Sequence, residues 1–251
     1  MRSRYAVVIP VALVVALSGC RERKRSILWA DPEAEAEAVE RYSKQITVNP
    51  SDPMPYAERA LSLLEMDKVD EAIRDFSKAL ELDPTFSTAL HWRANAYEKQ
   101  GRHREAAEDR LRQVRAFPNG SLVGMGVSPS DWAECAESFV KADEPARGQA
   151  LLEEYFAKGY PERVTAYTSE STYPARLLSR LYLAQGKTAD AVRYGRLAYE
   201  SPHRVPRDYE DYALALEADN QKELALRVAE EGLKISNWME GALGVQQRLR
   251  K

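Results

Sequence analysis

Asp70-Glu71-Ala72-Ile73-Arg74-Asp75-Phe76-Ser77-Lys78-Ala79-Leu80-Glu81-Leu82-Asp83-Pro84 is the stretch on which the fold turns. Ala72, Ile73, Phe76, Ala79 and Leu80 recur at the three- and four-residue spacing of a single helix face. Pro84 ends that helix, because proline lacks an amide donor and pushes its predecessor out of helical geometry. Pro50, Pro84 and Pro118 are spaced by 34 residues. In the next period Glu105-Ala106-Ala107 and Phe117-Pro118 stand at equivalent places, preceded by Ala94, Tyr97 and Gly101 at the offsets of Ala60, Leu63 and Asp67.

Packing explains this alternation. Two helix backbones approach closely only where side chains are small, as at Ala60, Ala72, Ala79, Ala94 and Ala106, while Tyr56, Leu63, Phe76, Leu90 and Tyr97 fill the gaps. The pattern resembles the tetratricopeptide repeat, a pair of antiparallel helices in about 34 residues. That resemblance implies an all-α fold, a right-handed superhelix (an α-solenoid) of about five helix-turn-helix repeats.

Outward from the best-matched units the register continues. Glu37-Ala38-Val39, Tyr42 and Ile46 match only the second half of a repeat, which predicts a leading half-repeat helix over 33–50. Repeats are expected over 53–84, 87–118, 130–160, 173–202 and 206–236, with a capping helix in 237–251 carrying Trp238, Leu243 and Leu249. The period slips in the centre: Ala150 reads as the equivalent of Ala106 and Ala191, and insertions over 119–129 and 159–173 absorb the excess. Their apolar residues are read as tucked against neighbouring helices or as a flap over a groove.

Composition excludes whole classes. The 251 residues are 44% hydrophobic and 30% charged, too apolar for a disordered chain, and 2 cysteines cannot staple a miniprotein. The net charge of −3 argues against nucleic acid as a partner. Met1 to Cys20 reads as a targeting segment, with Arg2 and Arg4 ahead of an apolar run from Ala6 to Leu17 that is shorter than the roughly 20 residues of a spanning helix. Leu17-Ser18-Gly19-Cys20 resembles the bacterial lipobox, which implies a signal peptide over 1–19, lipid on Cys20 and a basic tether over 20–32. Arg21, where an aspartate would signal inner-membrane retention, implies the outer membrane, facing the periplasm. The opposing reading is an uncleaved signal anchor, favoured by Arg21, Arg23, Lys24 and Arg25 beyond the apolar run.

In the family the first helices line a concave wall, and the resemblance places residues two, five, nine and twelve of each on it. These are Met54, Ala57, Leu61 and Leu64; Thr88, His91, Asn95 and Glu98; Ser130, Ala133, Glu137 and Val140; Tyr173, Arg176, Arg180 and Leu183; and Arg207, Glu210, Leu214 and Glu217. Ala57 and Leu61 occupy the places where chaperone-binding members carry a carboxylate clamp. The partner-binding residues are therefore expected to be His91, Trp92, Asn95, Glu98, Tyr173, Arg176, Arg180 and Glu210, with Arg176 and Arg180 one helical turn apart and able to meet an acidic side chain together.

Catalytic patterns are sparse. His91, His103 and His203 fall on a first helix, an inter-helix turn and an inter-repeat loop without metal-ligand spacing, and no cofactor or metal is expected. Cys135 follows Trp132 on a predicted helix and reads as buried. The expected function is a non-enzymatic, membrane-anchored scaffold of the cell envelope, holding a protein or peptide in its concave groove. It resembles pilotin lipoproteins and the lipoprotein adaptors of cell-wall hydrolases in signal plus repeats. The alternative is an enzyme or regulatory subunit with its site in the irregular central section, using Cys135 or His203.

Overall fold

The computed structural model describes residues 32–116, 128–159 and 172–250. The signal segment with Cys20, the tether up to residue 31 and most of both central insertions lie outside them. The described residues form twelve α-helices and no strand. In chain order these are α1 (Pro32–Val48), α2 (Pro53–Glu65), α3 (Val69–Leu82), α4 (Ser87–Lys99), α5 (His103–Ala116) and α6 (Pro129–Lys141). They continue as α7 (Pro145–Ala157), α8 (Tyr173–Ala184), α9 (Thr188–Tyr199), α10 (Pro206–Ala218), α11 (Lys222–Ile235) and α12 (Glu240–Leu249). Each of α1 to α6 packs on the next wherever the chain is continuous, and the first helices α2 and α4, α6 and α8, and α8 and α10 also touch. The result is five stacked hairpins between a leading helix and a cap. The leading helix opens at Pro32, one residue inside the predicted tether.

Every hairpin carries a pair of small buried residues, one on each helix at equivalent places: Ala60 and Ala72, Ala94 and Ala106, Ala136 and Gly148, Ser179 and Ala191, Ala213 and Ala225. The third pair corrects the expected register. Ala150 is exposed, and Gly148 takes the close approach, where a Cβ would lie 2.5 Å from the Ala136 carbonyl oxygen. Apolar cores follow the stack, one around Tyr56, Phe76 and Leu90, a central one around Trp132, Phe139, Leu152 and Leu178, and a last one around Tyr209, Leu216, Val228 and Met239. Each large side chain so buried contributes about 1.5–3 kcal/mol.

A polar ladder ties the first two repeats together. Arg59 donates from Nε and Nη2 to both oxygens of Asp75, at 2.6 and 2.7 Å, and from Nη1 to Ser43 Oγ at 3.0 Å. One period on, Arg93 holds Asp109 at 2.6 and 2.7 Å and Ser77 at 2.9 Å. Each arginine thus joins both helices of its own repeat to the second helix of the repeat before. In the third repeat Cys135 and Leu151 stand at the corresponding places, both buried. Cys135 lies against Ala107 O, and burial pushes its thiol up to about 12, so it is protonated at neutral pH.

The turn between the two helices of each repeat carries a residue with positive φ: Asp67, Gly101, Asp143, Gly186 and Asn220. Glycine adopts this conformation without a Cβ penalty, whereas Asp143, at φ 62°, carries one. Asp143→Gly is therefore expected to raise stability by about 0.5–1 kcal/mol, read as a higher melting midpoint.

At the C-terminal end the cap differs from expectation. Trp238 precedes α12 and is 59% exposed, and Leu243 faces outward; Leu249 packs on the last hairpin as expected, together with Met239, Ala242 and Val245.

Candidate binding groove

A groove of about 410 Å³ opens where α4, α5, α6 and α8 converge, lined by His91, Asn95, Glu98, Arg110, Glu134, Glu137, Lys141 and Tyr173. Four of the eight expected residues meet there: His91, Asn95, Glu98 and Tyr173. Arg110, Glu134, Glu137 and Lys141 complete it and were outside the expected set.

Arg110 forms the floor. It stands where the preceding repeat has Phe76 and the following one Leu152, both fully buried, yet it is itself only 6% exposed. Its Nη1 donates to Glu98 Oε1 at 2.7 Å and to Ser138 Oγ at 2.6 Å, and its Nη2 donates to Asn95 Oδ1 at 2.8 Å. A buried guanidinium is tolerable only when its hydrogens and charge find such partners. One period earlier the residue is apolar, so the exchange of Phe76 for Arg110 at an equivalent place was a legible signal.

These bonds orient the wall. Asn95, held by Arg110 through its oxygen, donates from Nδ2 to His91 Nε2 at 3.1 Å, which puts the imidazole hydrogen on Nδ1. Burial depresses the His91 pKa, and Arg110 adds to the effect against Asp131. Glu98 is pushed up by burial, but its bonds to Arg110 and Ser138 and the nearby Lys141 outweigh this and hold it below the usual carboxylate range. Glu134 goes the other way: burial raises it, and Arg110 does not compensate from 3.7 Å. Across the groove Tyr173 donates to Glu137 at 2.5 Å, and Lys141 lies 3.7 Å from Glu137 and 3.8 Å from Glu98. The opening of α6 is fixed by reciprocal bonds between Ser128 and Asp131, the Asp131 carboxylate accepting from Ser128 N at 2.6 Å.

The other expected residues are placed differently. Trp92 turns outside the groove, with its ring edge-on to His91 at 5.3 Å. Arg176 is already engaged, donating to Asp208 at 3.2 Å and lying 3.6 Å from Asp211, with its guanidinium over the Tyr173 ring. The acidic groups that Arg176 meets are thus Asp208 and Asp211 of its own chain, while Arg180, one turn on, is exposed. Glu210 accepts from Gly241 N and anchors α12. His103 is the first residue of α5 and lies outside the turn. Among the described residues no group of three His, Cys, Asp or Glu side chains could hold a metal ion.

Asp211 gives the molecule a pH dependence. Burial pushes its carboxyl up to about 7, against the pull of Arg180 and Arg176 and with help from Glu210 and Asp208. A free aspartate titrates near pH 4, so the folded state binds this proton more tightly. The stability it contributes is complete below about pH 4 and is lost as pH rises through about 7. Asp211→Asn is expected to flatten the melting temperature over that window, with its gain over the natural chain appearing above neutrality.

A family model described as a TPR repeat matches residues 61–101. Over those residues the chain is similar to the tetratricopeptide repeat. The small glutamine-rich tetratricopeptide repeat-containing protein 2 of Mycosarcoma maydis is 31% identical over 93 residues, 37% of this chain and 26% of that protein. The STIP1 homolog of Dictyostelium discoideum is 30% identical over 115 residues, 46% of this chain and 20% of that one. This chain thus spans about a quarter or less of these relatives' length. Among solved structures, YrrB, a TPR protein with an unusual peptide-binding site, superposes with a TM-score of 0.60 at 19% identity, covering 83% of this chain and 99% of that one. The pilF protein of Pseudomonas aeruginosa gives 0.57 at 13%, covering 86% and 95%. These likenesses match the all-α superhelix of stacked hairpins described above.

Proposed function

We propose that this tetratricopeptide chain is a scaffold that binds an extended segment of a partner protein in the groove of α4, α5, α6 and α8, held at a cell-envelope membrane by lipid on Cys20. The observation that carries the binding half is Arg110. A repeat that follows the apolar pattern elsewhere gives up a core position to a buried guanidinium, which arranges Asn95 and Glu98 on the wall of an open groove. Stability alone is better served by an apolar residue there, as Phe76 and Leu152 show. The membrane half rests on the Leu17-Ser18-Gly19-Cys20 sequence. Outer-membrane residence and work like that of a pilotin or hydrolase adaptor belong to the same proposal, by analogy of signal plus repeats.

Two experiments test it. A photo-crosslinking residue placed at Asn95 of the full chain in its native cells should capture a discrete protein, and one placed at exposed Lys78 should not; equal patterns would remove the groove. Cys20→Ala should move the chain from the membrane to the soluble fraction, and unchanged fractionation would remove the lipid anchor.

A further inference from the structure

We infer that the groove receives a cationic side chain, a lysine or arginine projecting from the partner segment; this rests on reading the groove as the partner site. Its three carboxylates, Glu98, Glu134 and Glu137, outnumber its two cations, Arg110 and Lys141. Glu98 is bonded to Arg110 at 2.7 Å, and Glu137 accepts from Tyr173. The Glu134 carboxylate has no partner within hydrogen-bond distance among the described residues, and its ion-pair partner, Arg110 Nε, stays at 3.7 Å. Lys141 is an exposed internal cation that touches Glu98 and Glu137 only at 3.8 and 3.7 Å, beyond hydrogen-bond distance.

The second observation is on the floor. Arg110 is more than nine-tenths buried, and its Nε has no hydrogen-bond partner. The acceptor it faces is Glu134. A carboxylate can bridge two cations through its two oxygens. A ligand ammonium or guanidinium seated between Glu134 and Glu137 would hold Glu134 ionised, with one oxygen left to close on Arg110 Nε. That single event satisfies the orphaned donor and the uncompensated acid together, and Lys141 swings aside. Tyr173 and His91 supply ring surfaces for the aliphatic stem of the incoming side chain. An anionic ligand would instead meet three carboxylates at close range.

The test uses the full chain and three capped alanine-serine peptides that differ at one central residue: arginine, its uncharged isostere citrulline, or glutamate. Calorimetric titration should show the arginine peptide binding about tenfold more tightly than the citrulline peptide, and the glutamate peptide most weakly. Glu134→Gln should erase the preference for arginine over citrulline while leaving the melting temperature unchanged. Equal binding of the three peptides, preference for glutamate, or no binding of the arginine peptide would overturn the assignment of a cation. If that happens while crosslinking from Asn95 still captures a partner, the groove remains a partner site with a different ligand chemistry. If crosslinking is also lost, the groove itself falls.

Discussion

Asp109→Ala is expected to destabilise the chain by about 3–5 kcal/mol, the loss typical when one member of a buried ion pair is removed. Asp109 is 3% exposed and takes both hydrogen bonds of the Arg93 fork. Its removal leaves a largely buried guanidinium with Ser77 alone. Asp75→Ala, one repeat earlier, breaks the same geometry where the arginine side chain is 23% exposed rather than 13%, so water rehydrates it more readily and the loss is smaller. Replacing both partners, as Arg93→Met with Asp109→Leu, should recover most of the deficit, because no charge is then stranded. The third repeat already has this solution in Cys135 and Leu151. Denaturant midpoints for the three variants check the order; equal losses at Asp75 and Asp109 would show that burial does not govern the ladder.

Gly148→Ala is expected to cost about 1–3 kcal/mol despite adding only one methyl group. The new Cβ would lie 2.5 Å from the carbonyl oxygen of Ala136 and 3.2 Å from its carbon, and a backbone group cannot rotate away as a side chain would. The helices α6 and α7 must separate, and α6 carries Glu134, Glu137 and Ser138, so the groove should loosen with them. Ala150→Ser, on the exposed face two residues on, should change stability by no more than about 0.5 kcal/mol. Thermal melting of the two variants measures the contrast. A Gly148→Ala protein melting with the natural chain would refute the close contact.

Both predictions mark where sequence reading stopped. The periodic alanines revealed the hairpins and the first-helix register in four of the five repeats, because two backbones can approach only over small side chains; in the fourth, Ser179 holds the equivalent place. They misplaced one residue, since glycine satisfies that requirement as well as alanine and Ala150 offered a tempting substitute. His91, Asn95, Glu98 and Tyr173 were legible as groove residues because the family resemblance places those first-helix positions on the concave wall. Arg176 and Glu210 lie at concave positions too, but neighbouring repeats had already supplied Asp208 and Gly241 to occupy them. Only the placement of the next hairpin could reveal that.

The one-dimensional pattern was sufficient for helix identity, hairpin pairing and order along the stack, since these depend on contacts within a repeat or between neighbours. Tertiary structure decided which charges were consumed internally and which remained to face a ligand. That outcome depends on ångström distances between side chains more than a dozen residues apart: Arg110 reaching Ser138 at 2.6 Å while remaining 3.7 Å from Glu134. Coulomb and hydrogen-bond energies change steeply over that interval, and no residue spacing encodes it.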